Sequence, residues 1–107
     1  MKLNHLTTAC LAALIVPLAA QAQDDLKIGY INKMGDHPWF VAEVAGAAEA
    51  AREGGAEFVS QDVQFNADLA ITTLDTMIGD GVDGIAIVVP DRALGPVVAA
   101  RAAEAGV

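Results

Sequence analysis

The stretch that decides the architecture of this chain reads Lys27-Ile-Gly-Tyr-Ile-Asn-Lys33, then Met34-Gly-Asp-His37, then Pro38-Trp-Phe40. An apolar, β-prone run ends in a lysine, a short loop containing glycine follows, and a proline opens a helix that carries two adjacent aromatic residues. In an open α/β sheet such a strand-to-helix turn lies at the carboxyl edge of the strands, where ligands bind. The single tryptophan of the chain therefore lies where a small molecule could rest on it.

Three short apolar runs recur at similar intervals, at Ile28–Ile31, Glu57–Ser60 and Ile85–Val89, with helical patterns between them. This alternation predicts an α/β fold of βαβαβα type, with a parallel sheet covered on both faces. The third run is apolar at every position, so we expect a central strand there. Glu57 and Ser60 predict that the second strand lies nearer an edge.

The helix boundaries follow from proline, asparagine and glycine. The first helix is predicted to begin at Pro38 and to stop at Gly54-Gly55, the second to be capped by Asn66 and to end near Gly79, and the third to begin at Pro96 and to end before Gly106. The predicted buried stripes comprise Phe40 or Val41, Val44, Ala45, Ala48 and Ala51 in the first helix and Ile71, Leu74, Met77 and Ile78 in the second.

Residues 1–22 have the pattern of a secretory signal peptide. Met1-Lys2 is cationic, Leu6–Ala19 is apolar, and Ala20-Gln21-Ala22 is a small-x-small cleavage site. The apolar run is shorter than the roughly 20 residues that span a bilayer, although an uncleaved anchor is the alternative. Cys10 lies inside the apolar run, which disfavours lipidation there. We expect residues 23–107 to form the mature part of the chain.

The acidic composition narrows the possible partners. The whole chain carries a formal net charge of −8, and the 85 residues that would remain after cleavage hold five basic and fourteen acidic side chains. Nucleic acids and anionic membranes require clustered positive charge, so neither is an expected partner. No cysteine remains after cleavage, which excludes disulfides and thiol chemistry from the mature part.

The residues also argue against an enzyme. The turn after the first strand lacks both the three-glycine spacing of dinucleotide folds and the Gly-Lys-Ser/Thr of phosphate loops. His37 is the one histidine after residue 22, so a metal site of His and Cys is excluded. Asp80 and Asp83 flank a glycine-rich turn, where solvated carboxylates are common. We expect no catalytic residue, metal or cofactor.

Five residues are candidates for contact with a ligand: Lys33, His37, Trp39, Phe40 and Asp91. Each has a structural alternative: a solvated loop lysine, a helix cap for the histidine and the aspartate, and core packing for the aromatic pair. Successive helical residues point about 100° apart, so both aromatic rings cannot readily face the same core stripe, and one should project toward the ligand cleft. Asp62 follows the second strand as Asp91 follows the third, so it is a further candidate for the same reason, with weaker support.

Lys27-Ile-Gly-Tyr-Ile-Asn-Lys33 with Pro38-Trp-Phe40, and later Pro90-Asp-Arg-Ala-Leu-Gly95, resembles the periplasmic L-arabinose-binding proteins, which belong to the type I sugar-binding proteins of ABC importers. The resemblance implies two Rossmann-like lobes joined by a hinge and closing on one monosaccharide, with this chain forming a three-layer half of the first, sugar-binding lobe. It also implies that the Lys33 ammonium bonds sugar oxygens while Trp39 and Phe40 pack on the apolar face of the sugar. One departure is His37, where the family pattern has an acidic residue; this change predicts altered recognition of hydroxyl groups.

Together these features predict a periplasmic, non-catalytic receptor that delivers an arabinose-like pentose or a related hexose to an ABC permease. We expect the full-length receptor to be a monomer that touches the membrane only through the permease complex, and this chain to be its amino-terminal piece. Two alternatives share the fold. A periplasmic sensor of a membrane receptor would keep its amino-terminal helix uncleaved, and the effector domain of a transcription regulator would begin with a basic helix-turn-helix.

The signal peptide generates the first testable prediction. Because the apolar run is short and Ala20-Gln21-Ala22 follows it, we expect the mature protein to begin at Gln23 and to be released into the periplasm. Mass spectrometry of a periplasmic extract should detect that terminus. Retention in the inner membrane with Met1 intact would contradict it.

Overall fold

The computed structural model describes residues 25–107, so the predicted signal peptide and its cleavage site lie outside the described residues. The elements alternate strictly along the chain. They are β1 (Lys27–Asn32), α1 (Pro38–Glu53), β2 (Glu57–Asp62), α2 (Ala67–Gly79), β3 (Gly84–Ile87) and α3 (Leu94–Ala105). The predicted α/β class and the βαβαβα order are confirmed.

The three strands form one parallel sheet in the order β2-β1-β3. Tyr30, in the middle strand, is in register with Ser60 of β2 and Ala86 of β3. Among the described strands β1 takes the middle place and β3 lies at an edge, so the expectation that the third strand is central stays a prediction. An apolar composition indicates that helices cover both faces of a strand, but it does not indicate how many strands lie beside it.

Helices cover both faces of the sheet and produce three layers. α1 packs against β1 and β2, whereas α2 packs against β1 and against α3. Between the sheet and the α2–α3 layer lies the main core, where Ile31 of β1 is fully buried. The buried residues of this core are Ile31, Val63, Ala70, Leu74, Met77, Val82 and Val98.

Gly29 allows α2 to approach the middle strand closely. A Cβ atom at this position would lie 2.7 Å from Sδ of Met77, which is less than real Cβ contacts permit. Glycine leaves room for the methionine side chain over β1, and Met77 is buried there. A side chain at position 29 would therefore require the Met77 side chain to shift.

The helix ends agree with the predicted caps at most positions. Pro38 is the first residue of α1, and the Asn66 side chain accepts a hydrogen bond from the Leu69 amide at 2.9 Å, as an N-cap should. Gly106 closes α3 with a φ of 76°, in the left-handed region. The start predicted for α3 is wrong by two residues, because α3 begins at Leu94. A proline is tolerated there because the amides of the first helical turn have no helical acceptor.

The stripe predicted for α1 is only partly confirmed. Phe40 and Val44 are half-buried, whereas Val41 and Ala45 are exposed, and no residue of α1 is fully buried. In α2, by contrast, Leu74 and Met77 are buried, and Ile71 and Ile78 pack against the same core. The described part of the chain thus has its dense core on the α2–α3 side of the sheet.

The contrast between two leucines in α2 gives a prediction about stability. Leu74 is 0% exposed in the core, whereas Leu69, in the same helix, is 38% exposed. We expect Leu74→Ala to lower the free energy of unfolding by about 2–5 kcal/mol, because burial is lost and a cavity remains. Leu69→Ala should change it by less than about 1 kcal/mol. Urea unfolding of both variants measures the difference, and equal losses would contradict this packing.

Tyr30 is a buried polar residue on the middle strand. Its ring lies 6.2 Å from that of Phe58, and its hydroxyl group has no hydrogen-bond partner among the described residues. The Glu43 carboxylate of α1 lies near the hydroxyl without forming a well-directed hydrogen bond. Burial, together with Glu43, raises the pKa of Tyr30 from 10.0 to about 12.

This raised pKa predicts a loss of stability in alkali. Below pH 10 the phenol is neutral in both the folded and the unfolded protein, and its full contribution is present. Between pH 10 and 12 the unfolded chain ionises first, so the free energy of unfolding should fall. The Tyr30→Phe variant should lack this fall in the free energy of unfolding at alkaline pH. At pH 7 its free energy of unfolding should be nearly that of the wild type, because the substitution removes an unpaired hydroxyl. Denaturant titrations at several pH values test it; identical alkaline profiles for both proteins would be inconsistent with a perturbed Tyr30.

Candidate functional site

Three loops meet at the carboxyl edge of the sheet. They are residues 33–37 after β1, residues 63–66 after β2 and residues 88–93 after β3. The strand pairing continues into them, because the Val63 amide donates to the Asn32 carbonyl at 2.7 Å and the Val88 amide donates to the Ile31 carbonyl at 2.9 Å. The loops that carry the predicted ligand residues therefore begin side by side.

The β1–α1 loop is held by its own polar groups. Oδ1 of the buried Asn32 accepts a hydrogen bond from the Met34 amide at 3.2 Å. Nδ1 of His37 accepts from the Trp39 amide at 3.2 Å, which makes the histidine the N-cap of α1. The cap, which was the structural alternative for His37, is thus present, and its other ring nitrogen is not part of this bond.

The Lys33 ammonium lies near two phenylalanine rings. Its Nζ is 5.7 Å from the centroid of the Phe40 ring and 5.7 Å from the centroid of the Phe65 ring. Both distances are within the range of cation–π attraction. The rings of His37 and Phe40 are also in edge contact, with 5.7 Å between their centroids. Lys33, His37 and Phe40, three of the five candidate residues, therefore form one cluster.

The two adjacent aromatic residues of α1 differ in burial. Phe40 is half-buried beside Lys33, whereas Trp39 is 68% exposed in the first helical turn. The two rings therefore do not share one core stripe, as the 100° step between helical residues predicts. The direction of Trp39 toward a ligand cleft stays a prediction. The indole presents a large apolar surface to solvent in the first turn of α1, which is unusual for a residue of this size.

The β2–α2 loop brings Phe65 to Lys33 by an uncommon backbone path. Gln64 and Phe65 have φ angles of 48° and 59°, which residues other than glycine rarely adopt. The Phe65 amide donates to the Lys33 carbonyl at 2.8 Å, and the Gln64 amide donates to Oδ1 of Asp62 at 3.0 Å. These bonds hold the loop against the β1–α1 loop.

An open depression of about 400 Å³ lies between these two loops. Its lining residues are Lys33, Met34, Asp36, Asp62, Gln64 and Phe65. Gly35 is required beside it, because a Cβ atom there would lie 2.5 Å from Oδ2 of Asp62. The depression thus combines one ammonium group, two carboxylates and an aromatic ring, which could bind a small molecule rich in hydroxyl groups.

Asp91 lies on the third loop. Its Oδ1 accepts from the Ala93 amide at 2.8 Å, and its carbonyl accepts from the Leu94 amide at 3.0 Å. The side chain is exposed and organises the turn before α3. The helix cap expected as its structural alternative is wrong, because the N-cap of α3 is Ala93 and no side chain caps the helix. It shares the carboxyl edge with the Lys33 cluster but does not line the depression beside Lys33.

Phe65 was not among the residues predicted from sequence. The signal was present but weak, because an isolated aromatic residue stands between polar Gln64 and the cap Asn66, in the loop between the second predicted strand and the second predicted helix. Asp62, for which the sequence argument was weak, does line the depression.

Within residues 25–107, no three His, Cys, Asp or Glu side chains come together as they would around a metal ion. The described helices include none with the length and apolar character needed to cross a membrane.

Known proteins match most of this chain. Residues 28–107 match the family described as periplasmic binding protein domain. An ABC transporter L-arabinose-binding periplasmic protein of Azospirillum brasilense is 35% identical over 104 residues, covering 92% of this chain and 31% of the relative. The L-arabinose-binding periplasmic protein of Escherichia coli K12 is 29% identical over 102 residues, covering 92% of this chain and 30% of the relative.

The chain thus spans about a third of the length of the curated relatives it matches. The family match covers every strand and helix of the described sheet except the first residue of β1, and the three-layer α/β architecture agrees with it. This chain belongs to the periplasmic binding protein domain family.

Proposed function

We propose that this chain is the signal peptide (residues 1–22) and the first part of the amino-terminal lobe (residues 23–107) of a periplasmic solute-binding protein. Its ligand is a monosaccharide, and its partner is the permease of an ABC importer. The observation that carries the proposal is at the carboxyl edge, where the Lys33 ammonium lies over the Phe40 ring and the exposed Trp39 precedes Phe40 in the first turn of α1. The protein binds and releases its ligand without chemical change.

The chemistry of a sugar fits this cluster. A monosaccharide presents a rim of hydroxyl groups and apolar C–H faces, so its site needs a few placed polar groups and an aromatic wall. The Lys33 ammonium can only donate hydrogen bonds, which suits sugar oxygens, and the exposed Trp39 ring suits a C–H face. Carboxylates only accept, so Asp36 and Asp62, which line the adjoining depression, suit hydroxyl donors.

His37 and Asp91 complete the proposed ligand set. Each already accepts a hydrogen bond from a backbone amide, His37 through Nδ1 and Asp91 through Oδ1. Nε2 of His37 and Oδ2 of Asp91 are the atoms that we assign to the ligand. This arrangement fixes both side chains before the sugar arrives, which lowers the entropy lost on binding.

The relatives support the ligand class and the transport role. Both are named as L-arabinose-binding periplasmic proteins, and the Azospirillum protein is named as part of an ABC transporter. We propose an arabinose-like pentose or a related hexose, because His37 stands where the resemblance places an acidic residue. A second lobe, closing by a hinge, would supply the opposite wall, and the closed monomer would dock on the permease.

The aromatic wall and the ammonium can be tested separately in the full-length protein. Trp39→Ala should weaken the binding of L-arabinose by about 1–3 kcal/mol, because a large apolar contact is lost. Lys33→Met should weaken it by about 1.5–3 kcal/mol, because hydrogen bonds from a charged donor are lost. Calorimetric titration measures both, with D-xylose, D-galactose and D-glucose as further probes.

Matched controls come from the same elements. Lys27→Met changes the lysine at the opposite end of β1, where it pairs with Glu57 at 3.5 Å, and Val97→Ala removes an exposed apolar side chain from α3. Both should leave the affinity unchanged. If the wild-type protein bound none of the four sugars, the proposed function would be wrong. If it bound one and both site variants bound it equally well, the assigned residues would be wrong.

A further inference from the structure

Phe65 has two features that core packing does not explain. Its ring is 51% exposed, whereas Val63, two residues earlier, is fully buried in the core. Its backbone and that of Gln64 both have positive φ, which costs free energy in residues other than glycine. Such a conformation persists only when the surrounding contacts impose it, and it is common at ligand sites.

We propose that Phe65 is a positioning residue of the ligand site, which acts by holding the Lys33 ammonium against Phe40. The proposal rests on the proposed function, because it assigns a role to Lys33 in sugar binding. The two rings lie at equal distances of 5.7 Å from Nζ, so both attract the ammonium. The backbone bond from the Phe65 amide to the Lys33 carbonyl ties the ring to the residue it positions.

A lysine needs such support more than an arginine would. Its ammonium is a compact charge on a flexible four-carbon stem, and fixing that stem costs rotamer entropy. No carboxylate lies within 4.0 Å of the Lys33 ammonium in the described part of the chain, whereas Lys27 pairs with Glu57. Aromatic rings attract the ammonium without accepting strong hydrogen bonds, so its three donors stay available to sugar oxygens.

The position of Phe65 also links the two loops that enclose the depression. Phe40 belongs to the helix after β1, and Phe65 belongs to the loop after β2. Lys33 lies where the two elements meet, and both it and Phe65 line the depression with Asp36 and Asp62. Replacing Phe65 by an aliphatic residue would therefore free the ammonium on one side and leave Phe40 in place.

The first measurement needs no sugar. In the full-length protein, aromatic rings near Lys33 should shift its ε-methylene NMR signals from ordinary lysine values, and the signals are assigned by their loss in Lys33→Met. Phe65→Leu should move them toward ordinary values, whereas Phe65→Tyr should preserve them. Phe58→Leu is the matched control, because it removes a half-buried ring that packs on Tyr30, away from Lys33. It should lower stability without moving the Lys33 signals.

The second measurement is a double-mutant cycle for L-arabinose binding by calorimetry. Phe65→Leu should raise Kd about two- to fivefold, the range of an exposed cation–π contact, and Phe65→Tyr should restore it. In the Lys33→Met background Phe65→Leu should have no further effect, because its action passes through the ammonium. Phe58→Leu should leave Kd unchanged.

Each result decides the proposal. The proposal is supported if Phe65→Leu moves the Lys33 signals and raises Kd in the wild-type background but not in the Lys33→Met background. Unmoved Lys33 signals overturn it, and so does an effect on Kd that persists in the Lys33→Met background, because Phe65 would then act without the lysine. If the wild-type protein binds none of the sugars tested, the proposed function fails, and unchanged or changed Lys33 signals still decide whether Phe65 positions the ammonium.

Discussion

Parallel pairing of β1 with a strand on each of its edges sets the geometry of the whole described region. It aligns Tyr30 with Ser60 and Ala86, and it carries the backbone hydrogen bonding past the strand ends into the loops. Because all three strands run the same way, their carboxyl ends share one edge of the sheet, and the three loops emerge there together. Gly29 lets Met77 cover the middle strand on the core face, so packing and site geometry depend on the same strand.

Regular spacing of apolar runs was sufficient to predict the element order, since each run and each helix carries its own local signal. Strand order was not predictable in the same way. Ile85–Val89 looks central because its residues are apolar, yet β3 has one neighbour among the described strands and β1 has two. Hydrophobicity measures coverage by helices, whereas neighbour number depends on the path of the chain between strands. The start of α3 was missed because proline is acceptable anywhere in a first turn.

The part of the candidate site whose residues lie near one another in the sequence was predictable. Lys33 and Phe40 lie within one strand–loop–helix unit, so their spacing alone brings them together, and the 100° step between helical residues separates the roles of Trp39 and Phe40. Phe65 reaches Lys33 only through the pairing of β2 with β1 and two left-handed residues. Neither condition is visible in composition or periodicity. The position of Phe65 beside Lys33 could therefore be found only from the structure.

The position of β2 at the edge of the described sheet has a consequence for how the site would lose its shape. Phe65 follows β2, which has one neighbouring strand among the described strands, whereas Lys33 and Phe40 follow β1, which has two. Local opening requires less free energy where fewer contacts are broken, so amide exchange should be faster along β2 than along β1. Local opening of β2 would separate Phe65 from Lys33 while β1 stayed paired with β3. If the proposed site binds a ligand, its affinity would then depend on the local free energy of the β2 edge and would decline on warming before the fold itself unfolds.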